Sequence, residues 1–201
     1  MVFGYIVGSC PTGYILARII RGVDIREFGS GNVGATNVGR LLGRKWAIVT
    51  AIIDISKGGA AILLAMALGV GSPAVLSLIG AAGVVGHDYP VWIGFRGGKG
   101  VATTYGVFAC YDFFNPMPTI LAGAAWFIVR EFSGYASLAS LTSLAVAAML
   151  MPIFMESGIY FFFGFFLVVI CAWRHRGNIR RLASGTEVKV KPVFLRRKVG
   201  E

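Results

Sequence analysis

Acidic side chains are scarce in this chain. Nine Asp and Glu stand against nineteen Lys and Arg among 201 residues, with only two histidines and three cysteines. That poverty excludes a good deal of chemistry. No His, Asp and Glu residues fall at metal-ligand spacing, so no metal site is expected and no cofactor is called for. No paired carboxylates offer a general acid and base, and no Cys/His pair or Ser-x-x-Lys run offers a nucleophile. Cys10, Cys110 and Cys171 lie far apart in apolar stretches, none in a CxxC pair, which argues against a disulfide framework. The first apolar run has no basic region before it and no convincing small-residue cleavage site, so it is expected to stay in place as a helix. There is no internal repeat and no linker.

Apolar residues are plentiful instead: 56% of the chain is hydrophobic, with a mean hydropathy of +0.74. They come in long runs rather than amphipathic stripes, so the solvent they fit is a bilayer. The expected fold is an all-α integral membrane protein, one polytopic domain over residues 1–201. About seven transmembrane helices are expected, near 2–20, 46–68, 73–93, 100–114, 117–132, 136–154 and 158–173, each needing roughly 20 apolar residues to span. The fourth is short and merges with a glycine-rich stretch.

Charge sets the orientation. With the N-terminus outside, the inside segments hold Arg21, Arg26, Arg40, Arg44, Lys45, Arg96, Lys99, Arg130 and a basic tail from about 174 to 201. The outside segments, around 69–72, 112–116 and 155–157, hold no Lys or Arg, only Asp112 and Glu156. That bias predicts an odd number of spans, a cytoplasmic C-terminus and a tail lying along the membrane surface. The net charge of +10 is thus explained by the membrane face, with anionic lipids or phosphorylated substrates as partners and no nucleic acid.

Two polar stretches interrupt the apolar runs. The first, "GSGNVGATNVGR" from Gly29 to Arg40, matches Gly-x-Gly-x-x-Gly at Gly29, Gly31 and Gly34, but follows a membrane helix rather than a strand, so a dinucleotide reading lacks its context. Its glycines let backbone amides approach an anion. Ser30, Asn32, Thr36 and Asn37 add hydrogen bonds, and Arg40 adds a charged fork suited to phosphate. The second, "GHDYPVWIGFRGGKGVATTYG" from Gly86, fails as a P-loop: Gly94 to Gly98 is one residue short, and Gly100 stands where Ser or Thr should be. Gly97, Gly98, Lys99 and Gly100 are nonetheless expected to form an anion nest opening the fourth helix. His87 is read either as a general base or as a structural histidine at a helix end. Asp54 and Lys57, three apart on one helix face, are either a functional intramembrane pair or a structural one. Ser133, Ser137 and Ser140 gather at the start of the sixth helix, and Arg174, His175, Arg176 and Asn178 at the end of the seventh.

In this order and spacing, "GSGNVGATNVGR", "DISKGGAA", "GHDYPVWIGFRGGKGVAT", the serine-rich helix start and "RHRGNIRRLASGTE" resemble the bacterial acyl-phosphate-dependent glycerol 3-phosphate acyltransferases, the PlsY family. The pieces run from Gly29 to Glu187. The resemblance implies a bacterial inner-membrane enzyme with a cytoplasm-facing site. It would move an acyl group from acyl phosphate to the 1-hydroxyl of glycerol 3-phosphate, releasing lysophosphatidic acid and phosphate. It implies Ser30, Arg40, Lys99, Ser137, His175 and Asn178 as catalytic residues. Gly31, Asn32, Gly34, Thr36, Asn37, Asp54, Lys57, His87, Gly97, Gly98 and Gly100 are then supporting, substrate-binding candidates. Membrane lipids and the soluble enzyme that supplies acyl phosphate are further partners. Because acyl phosphate is already activated, direct attack by the substrate hydroxyl is expected, without an acyl-enzyme. The proton goes to the departing phosphate, with His87 or His175 as the alternative base. A transporter or channel for an anionic solute is the competing class, but such proteins place polar groups near the midplane, often in two related halves. A membrane phosphatase would need a nucleophile or metal ligands that the chain does not display.

Overall fold

The structure, a computed structural model, describes residues 1–111, 116–155 and 157–190. Asp112, Glu156 and the tail beyond residue 190 lie outside the described residues. Among the described residues ten α-helices follow one another: α1 Val2–Gly8, α2 Thr12–Arg21, α3 Ala35–Leu42, α4 Arg44–Ala67, α5 Pro73–Asp88, α6 Val101–Cys110, α7 Met117–Ser133, α8 Ala136–Phe154, α9 Gly158–Arg174 and α10 Arg176–Ala183. Short 3₁₀ turns at Ile25–Glu27 and Val91–Ile93 join some of them. There is no strand among the described residues.

Every apolar run folds as helix, with three departures from expectation. The first run is not one rod but α1 and α2, broken at Ser9–Pro11. Proline cannot donate to the helix ladder, and distant side chains bind the residues at the break. Lys57 Nζ donates to the Cys10 carbonyl at 2.7 Å and Trp92 Nε1 donates to Ser9 Oγ at 2.7 Å. The fourth run starts only after Gly100, at φ +74°, and α6 is ten residues long. The tail does not simply run along the surface. After α9 the chain bends by 62° into α10, and the Val190 amide then donates to the Gly134 carbonyl at 2.8 Å in the α7–α8 turn. By length and composition, the residues 2–21, 44–67, 73–93 and 136–154 each suffice to cross a bilayer, and the bent α9–α10 pair makes a fifth. With 17 residues each, α7 and α9 are shorter than the roughly 20 of a full crossing.

Small residues let the helices close on one another, as packing inside a bilayer requires. A Cβ built on Gly8 of α1 would strike the Gly83 carbonyl of α5, and one on Gly106 of α6 would strike the Ile55 carbonyl of α4. The main core lies between α4, α5, α6, α8 and α9 and includes Ile62, Leu76, Val84, Phe108, Tyr111, Leu144, Met151 and Leu167. A smaller cluster of Ala17, Ile25, Val33, Val38 and Ile93 seats the loop before α3. Large apolar side chains such as Ile52, Ile128, Phe132, Met149 and Phe162 are exposed, as a lipid-facing surface would have them.

The α4–α6 contact yields a prediction. Gly106→Val should destabilise the protein by about 1–3 kcal/mol, read as a lowered midpoint in thermal unfolding in detergent, while Gly123→Val, where a Cβ meets nothing within 4 Å, should leave the midpoint unchanged.

Candidate functional site

The site is built where three segments meet: the loop before α3, the loop between Val91–Ile93 and α6, and the α9–α10 bend. The first polar stretch is half loop and half helix. Gly34 is the residue before α3, so Thr36, Asn37 and Arg40 ride on a helix while Ser30, Gly31 and Asn32 form the loop. Asn37, 1% exposed, organises that loop. Its Nδ2 faces the carbonyls of Ile25, Phe28 and Asn32 at 3.2, 2.9 and 2.9 Å, and its Oδ1 accepts from the Ser30 amide at 3.0 Å. Asn32 Oδ1 accepts from the Gly34 amide at 2.8 Å, capping the turn. Thr36 is exposed. The loop thus presents Ser30 and Gly31 outward, with both glycines flanking Ser30 at positive φ, +59° at Gly29 and +68° at Gly31.

Across from it, Gly97 and Gly98 do not supply the open amides expected of them. The Gly97 amide donates to the Asp88 carbonyl at 3.2 Å and the Gly98 amide to the His87 carbonyl at 2.9 Å, so neither amide is open to an anion. These glycines are required for space instead: a Cβ on Gly97 would strike the His87 carbonyl, and one on Gly98 the His87 ring. The Gly98 carbonyl accepts from Arg174 at 2.7 Å, and the Arg174 guanidinium lies over the Tyr89 ring, 4.6 Å from its centroid. What the loop offers an anion is therefore the Lys99 ammonium.

A cavity of about 370 Å³ opens between these elements, lined by Arg26, Ser30, Gly31, Asn32, Phe95, Arg96, Gly97, Lys99 and Arg174. Four cationic side chains line it and no carboxylate does, among the described residues. Arg26 is fixed by Asp24, at 2.7 Å from Nη2, and by the Ile93 carbonyl, at 2.7 Å from Nη1. Arg40 is exposed and acts on Lys99 through its charge.

Lys99 also begins a chain of hydrogen bonds leading away from the cavity. Its Nζ donates to Asn178 Oδ1 at 2.5 Å. Asn178 Nδ2 donates to Glu187 Oε1 at 2.6 Å, the same oxygen accepts from Ser137 Oγ at 2.7 Å, and Arg181 Nε donates to Oε2 at 2.7 Å. Burial pushes the Glu187 carboxyl up, but the hydrogen bonds from Asn178, Ser137 and Arg181 outweigh it and hold the group below the usual carboxylate range. Burial lowers Lys99 to about 8; Glu187 opposes this, and the charges of Arg181, Arg174 and Arg40 reinforce it. His175, 3% exposed, sets its Nδ1 2.7 Å from the Cys171 carbonyl. A carbonyl only accepts, so Nδ1 carries the proton and Nε2 of the neutral ring is the acceptor.

Thus Lys99 bonds Asn178 directly, Ser137 joins them through Glu187, Ser30 shares the cavity with Lys99, and Gly31, Asn32 and Gly97 line that cavity. Asp54, Lys57 and His87 form a separate buried group between α2, α4 and α5. Asp54 Oδ1 accepts from Lys57 Nζ at 2.7 Å and from Thr12 Oγ1 at 3.0 Å, and His87 Nδ1 lies 3.8 Å away. This group meets the site through His87, whose carbonyl accepts from the Gly98 amide and lies against Gly97, and whose ring lies against Gly98. Gly100 caps α6. Glu187, Arg26 and Arg174 were missed as site residues. Glu187 and Arg174 stand within or beside the quoted motifs, but Ser137 lies 50 residues from Glu187 and the carbonyls that Arg174 binds lie 76 and 86 residues from it, beyond what spacing reveals.

The lowered Lys99 value generates a pH prediction. The cationic form dominates below pH 8 and is lost above it, so an anion held by that charge binds more weakly as pH rises. Sulfate keeps its own charge constant over this range. Its affinity, measured by calorimetry on the detergent-solubilised protein, should fall about tenfold from pH 7 to 9, and Lys99→Arg should remove that dependence because a guanidinium stays charged.

Comparison with known proteins places this arrangement. The family model described as glycerol-3-phosphate acyltransferase matches residues 1–185. A glycerol-3-phosphate acyltransferase of Shouchella clausii is 43% identical over 196 residues, covering 94% of each chain, and one of Zymomonas mobilis subsp. mobilis is 42% identical over 200 residues, covering 93% of this chain and 92% of its own. Two crystal structures of PlsY (YgiH), an integral membrane glycerol 3-phosphate acyltransferase, share the fold. The glycerol 3-phosphate form superposes with a TM-score of 0.87 at 37% identity and the lysophosphatidic acid form with 0.85 at 36%, each over 94% of this chain and 93% of its own. An all-helical membrane protein with a cationic cavity at one end of its bundle, this chain belongs to the glycerol-3-phosphate acyltransferase family.

Proposed function

We propose that this protein transfers a fatty acyl group from acyl phosphate to the 1-hydroxyl of glycerol 3-phosphate, by direct attack and without an acyl-enzyme. One observation carries the reading: Ser30, Lys99, Arg174, Arg26 and Arg96 line a single cavity without a carboxylate. Both substrates bear phosphate, and several fixed cations offset the repulsion of bringing two such groups together. In the reaction the hydroxyl oxygen bonds to the acyl carbon, the bond from that carbon to the phosphate oxygen breaks, and the hydroxyl proton leaves with inorganic phosphate. The products are lysophosphatidic acid and phosphate.

Each residue has a task in this scheme. Lys99 and Arg174 hold phosphate by charge. Ser30 and the Gly31 backbone orient it from the opposite wall, and Arg40 adds to the field. Asn37 is a positioning residue for that loop. Asn178 and Ser137, fixed by Glu187, hold Lys99 in place and offer polar atoms to the glycerol hydroxyls. Should the phosphate not take the proton, His175 Nε2 is the base the tautomer favours. Asp54 and Lys57 support the helix break rather than touch substrate.

The same reading sets the membrane orientation: seven passes over one domain, the N-terminus outside, and the cationic cavity and α10 on the cytoplasmic side, where acyl phosphate from a soluble enzyme would arrive. The shorter helices are accommodated by local thinning of the bilayer. The support is the confinement of Lys and Arg to one set of loops.

The test is phosphate release from synthetic hexadecanoyl phosphate with and without glycerol 3-phosphate, alongside lysophosphatidic acid formation. Release should require the acceptor. Release in its absence would indicate a phosphatase, and no release at all would return the transport reading. Ser30→Ala and Lys99→Ala should each lower turnover roughly a hundredfold or more. Rapid mixing with radiolabelled acyl phosphate and no acceptor should leave the protein unlabelled; a stable acyl group on Ser30 that later passes to acceptor would overturn direct transfer. Cysteines placed at Ser30, Arg96 and Ser184 should react only from the cytoplasmic side.

A further inference from the structure

One residue of the cationic cavity holds a backbone conformation that its own side chain disfavours. Phe95 lies at φ +60°, and among the described residues it is the one non-glycine residue at positive φ. For an L-residue with a bulky side chain that conformation is costly. Gly94 before it is also left-handed, at φ +66°, which glycine adopts freely. The turn is imposed from both sides. The Phe95 amide donates to the Pro90 carbonyl at 2.9 Å, and the Gly97 amide to the Asp88 carbonyl at 3.2 Å. The Ile93 carbonyl accepts from Arg26 Nη1 at 2.7 Å, and the Ile93 side chain is buried in the smaller core cluster. Phe95 and Arg96 therefore project from a loop that is held on each side of them. The strain gains nothing in packing, because Phe95 is 57% exposed. Yet the ring lines the cavity, the one apolar side chain in a lining otherwise made of cations, Ser30, Asn32 and glycines, among the described residues. Backbone strain without a packing reward is characteristic of residues that serve a ligand.

We infer that Phe95 is a specificity-determining residue, whose ring shields the acyl carbon of bound acyl phosphate from water so that the glycerol hydroxyl is the nucleophile that reaches it. The inference rests on the function proposed above. Acyl phosphate is a mixed anhydride, open to attack by any oxygen nucleophile. In hydrolysis the water oxygen bonds to the acyl carbon and the bond from that carbon to the phosphate oxygen breaks. One water proton leaves with inorganic phosphate, and the other is released by the fatty acid that forms. The leaving group is the same as in transfer. Lys99, Arg174 and Arg26 stabilise it whichever nucleophile attacks, so the cations cannot tell glycerol 3-phosphate from water. Discrimination needs an apolar surface that water gains nothing by approaching. Closing such a surface over a reacting centre is how side reactions with water are suppressed.

The ring is tied to both walls of the cavity. Arg26, from the segment that carries Ser30, holds the Ile93 carbonyl just before the turn, and Lys99 follows Phe95 in the same loop. Returning residue 95 to negative φ would redirect its Cβ, so the strain keeps the ring against the cavity. Glycine at this position would relax the turn and keep its backbone hydrogen bonds, but it carries no ring.

That difference gives a test which separates ring from backbone. Inorganic phosphate and lysophosphatidic acid are both measured from hexadecanoyl phosphate with saturating glycerol 3-phosphate, for the wild type, Phe95→Ala, Phe95→Gly and Phe95→Leu, after subtracting release in protein-free detergent. The wild type and Phe95→Leu should form the two products in equal amounts. Phe95→Ala and Phe95→Gly should each release excess phosphate, raising the ratio of hydrolysis to transfer roughly tenfold or more. In water labelled with heavy oxygen the label should enter the fatty acid and not the phosphate. Thermal unfolding in detergent supplies the second readout. Phe95→Gly relieves the left-handed strain and should raise the midpoint by about 2–4 °C, whereas Phe95→Ala should not. A general loosening of the site would instead pair the leak with a lowered midpoint. Equal products in both small variants would overturn the inference, as would a leak confined to Phe95→Ala, a leak as large in Phe95→Leu or the wild type, a Phe95→Gly midpoint that does not rise, or label in the phosphate. A wild type that forms no lysophosphatidic acid from acyl phosphate would sink the acyl phosphate reading itself.

Discussion

The Arg174 guanidinium ties three pieces of backbone into one platform. From the end of α9 it donates to the Gly98 carbonyl through Nε at 3.1 Å and Nη2 at 2.7 Å, and to the Asp88 carbonyl at 3.2 Å. It lies against Tyr89, and the Asp88 carboxylate sits 3.8 Å from Nε. Asp88 is completely buried, and its two oxygens have no hydrogen-bond partner among the described residues. The Arg174 guanidinium is the charged group set beside that buried acid, so the two constrain each other's placement. The result is a loop whose carbonyls turn towards α9 and whose Lys99 side chain is directed at Asn178. Without that strap, the segment between Ile93 and Val101 would be a glycine-rich connection with little to define it.

Once Lys99 is placed, the electrostatics of the site follow. Burial pushes the Lys99 ammonium towards neutrality, and the charges of Arg181, Arg174 and Arg40 add to that push. Glu187 opposes that trend from the far side of Asn178. The carboxylate does not line the cavity; it accepts from Asn178, Ser137 and Arg181 and pins the chain after α10 against the start of α8. Positive charge is thereby left facing the cavity while the balancing negative charge is held one residue behind it. That separation is what an anion-binding site needs, since a carboxylate in the cavity itself would compete with phosphate for the same donors.

How much of this was legible in the sequence depends on the range of the interaction concerned. The helices were legible because a bilayer demands continuous apolar runs with internally satisfied backbone, a requirement written locally in the chain. Lys99, Ser137 and Asn178 were found through motifs, and the structure joins them in one hydrogen-bonded chain that passes through Glu187. The break at Pro11 was not legible. Proline made it permissible, but Lys57, 47 residues away, accepts the task of binding the Cys10 carbonyl. The P-loop-like stretch misled for a similar reason. Glycine runs suggest open amides, yet Gly97 and Gly98 use theirs on Asp88 and His87, and their lack of a Cβ serves the close approach of the His87 ring. Arg174 was visible only as one charge in a basic cluster, because its role lies in carbonyls 76 and 86 residues distant.

The buried pair of Asp54 and Lys57 links these two failures of local reading. Ion pairs inside an apolar bundle gain little stability on balance, so their presence calls for a structural consequence. Here Asp54 is satisfied by Lys57 and Thr12, and Lys57 by Asp54 and the Cys10 carbonyl. Every one of those contacts bears on the residues flanking Pro11. The pair therefore braces the discontinuity, with Lys57 adding a second donor to a Cys10 carbonyl that also accepts from the Thr12 amide at 3.1 Å. That discontinuity lets α2 pack on α3 and the Ile25–Glu27 turn, which brings Arg26 and the Ser30 loop to face Lys99. The cationic cavity is thus a consequence of one broken helix, and the ionic group in the bundle interior acts on the chemistry by holding that break rather than by touching a substrate.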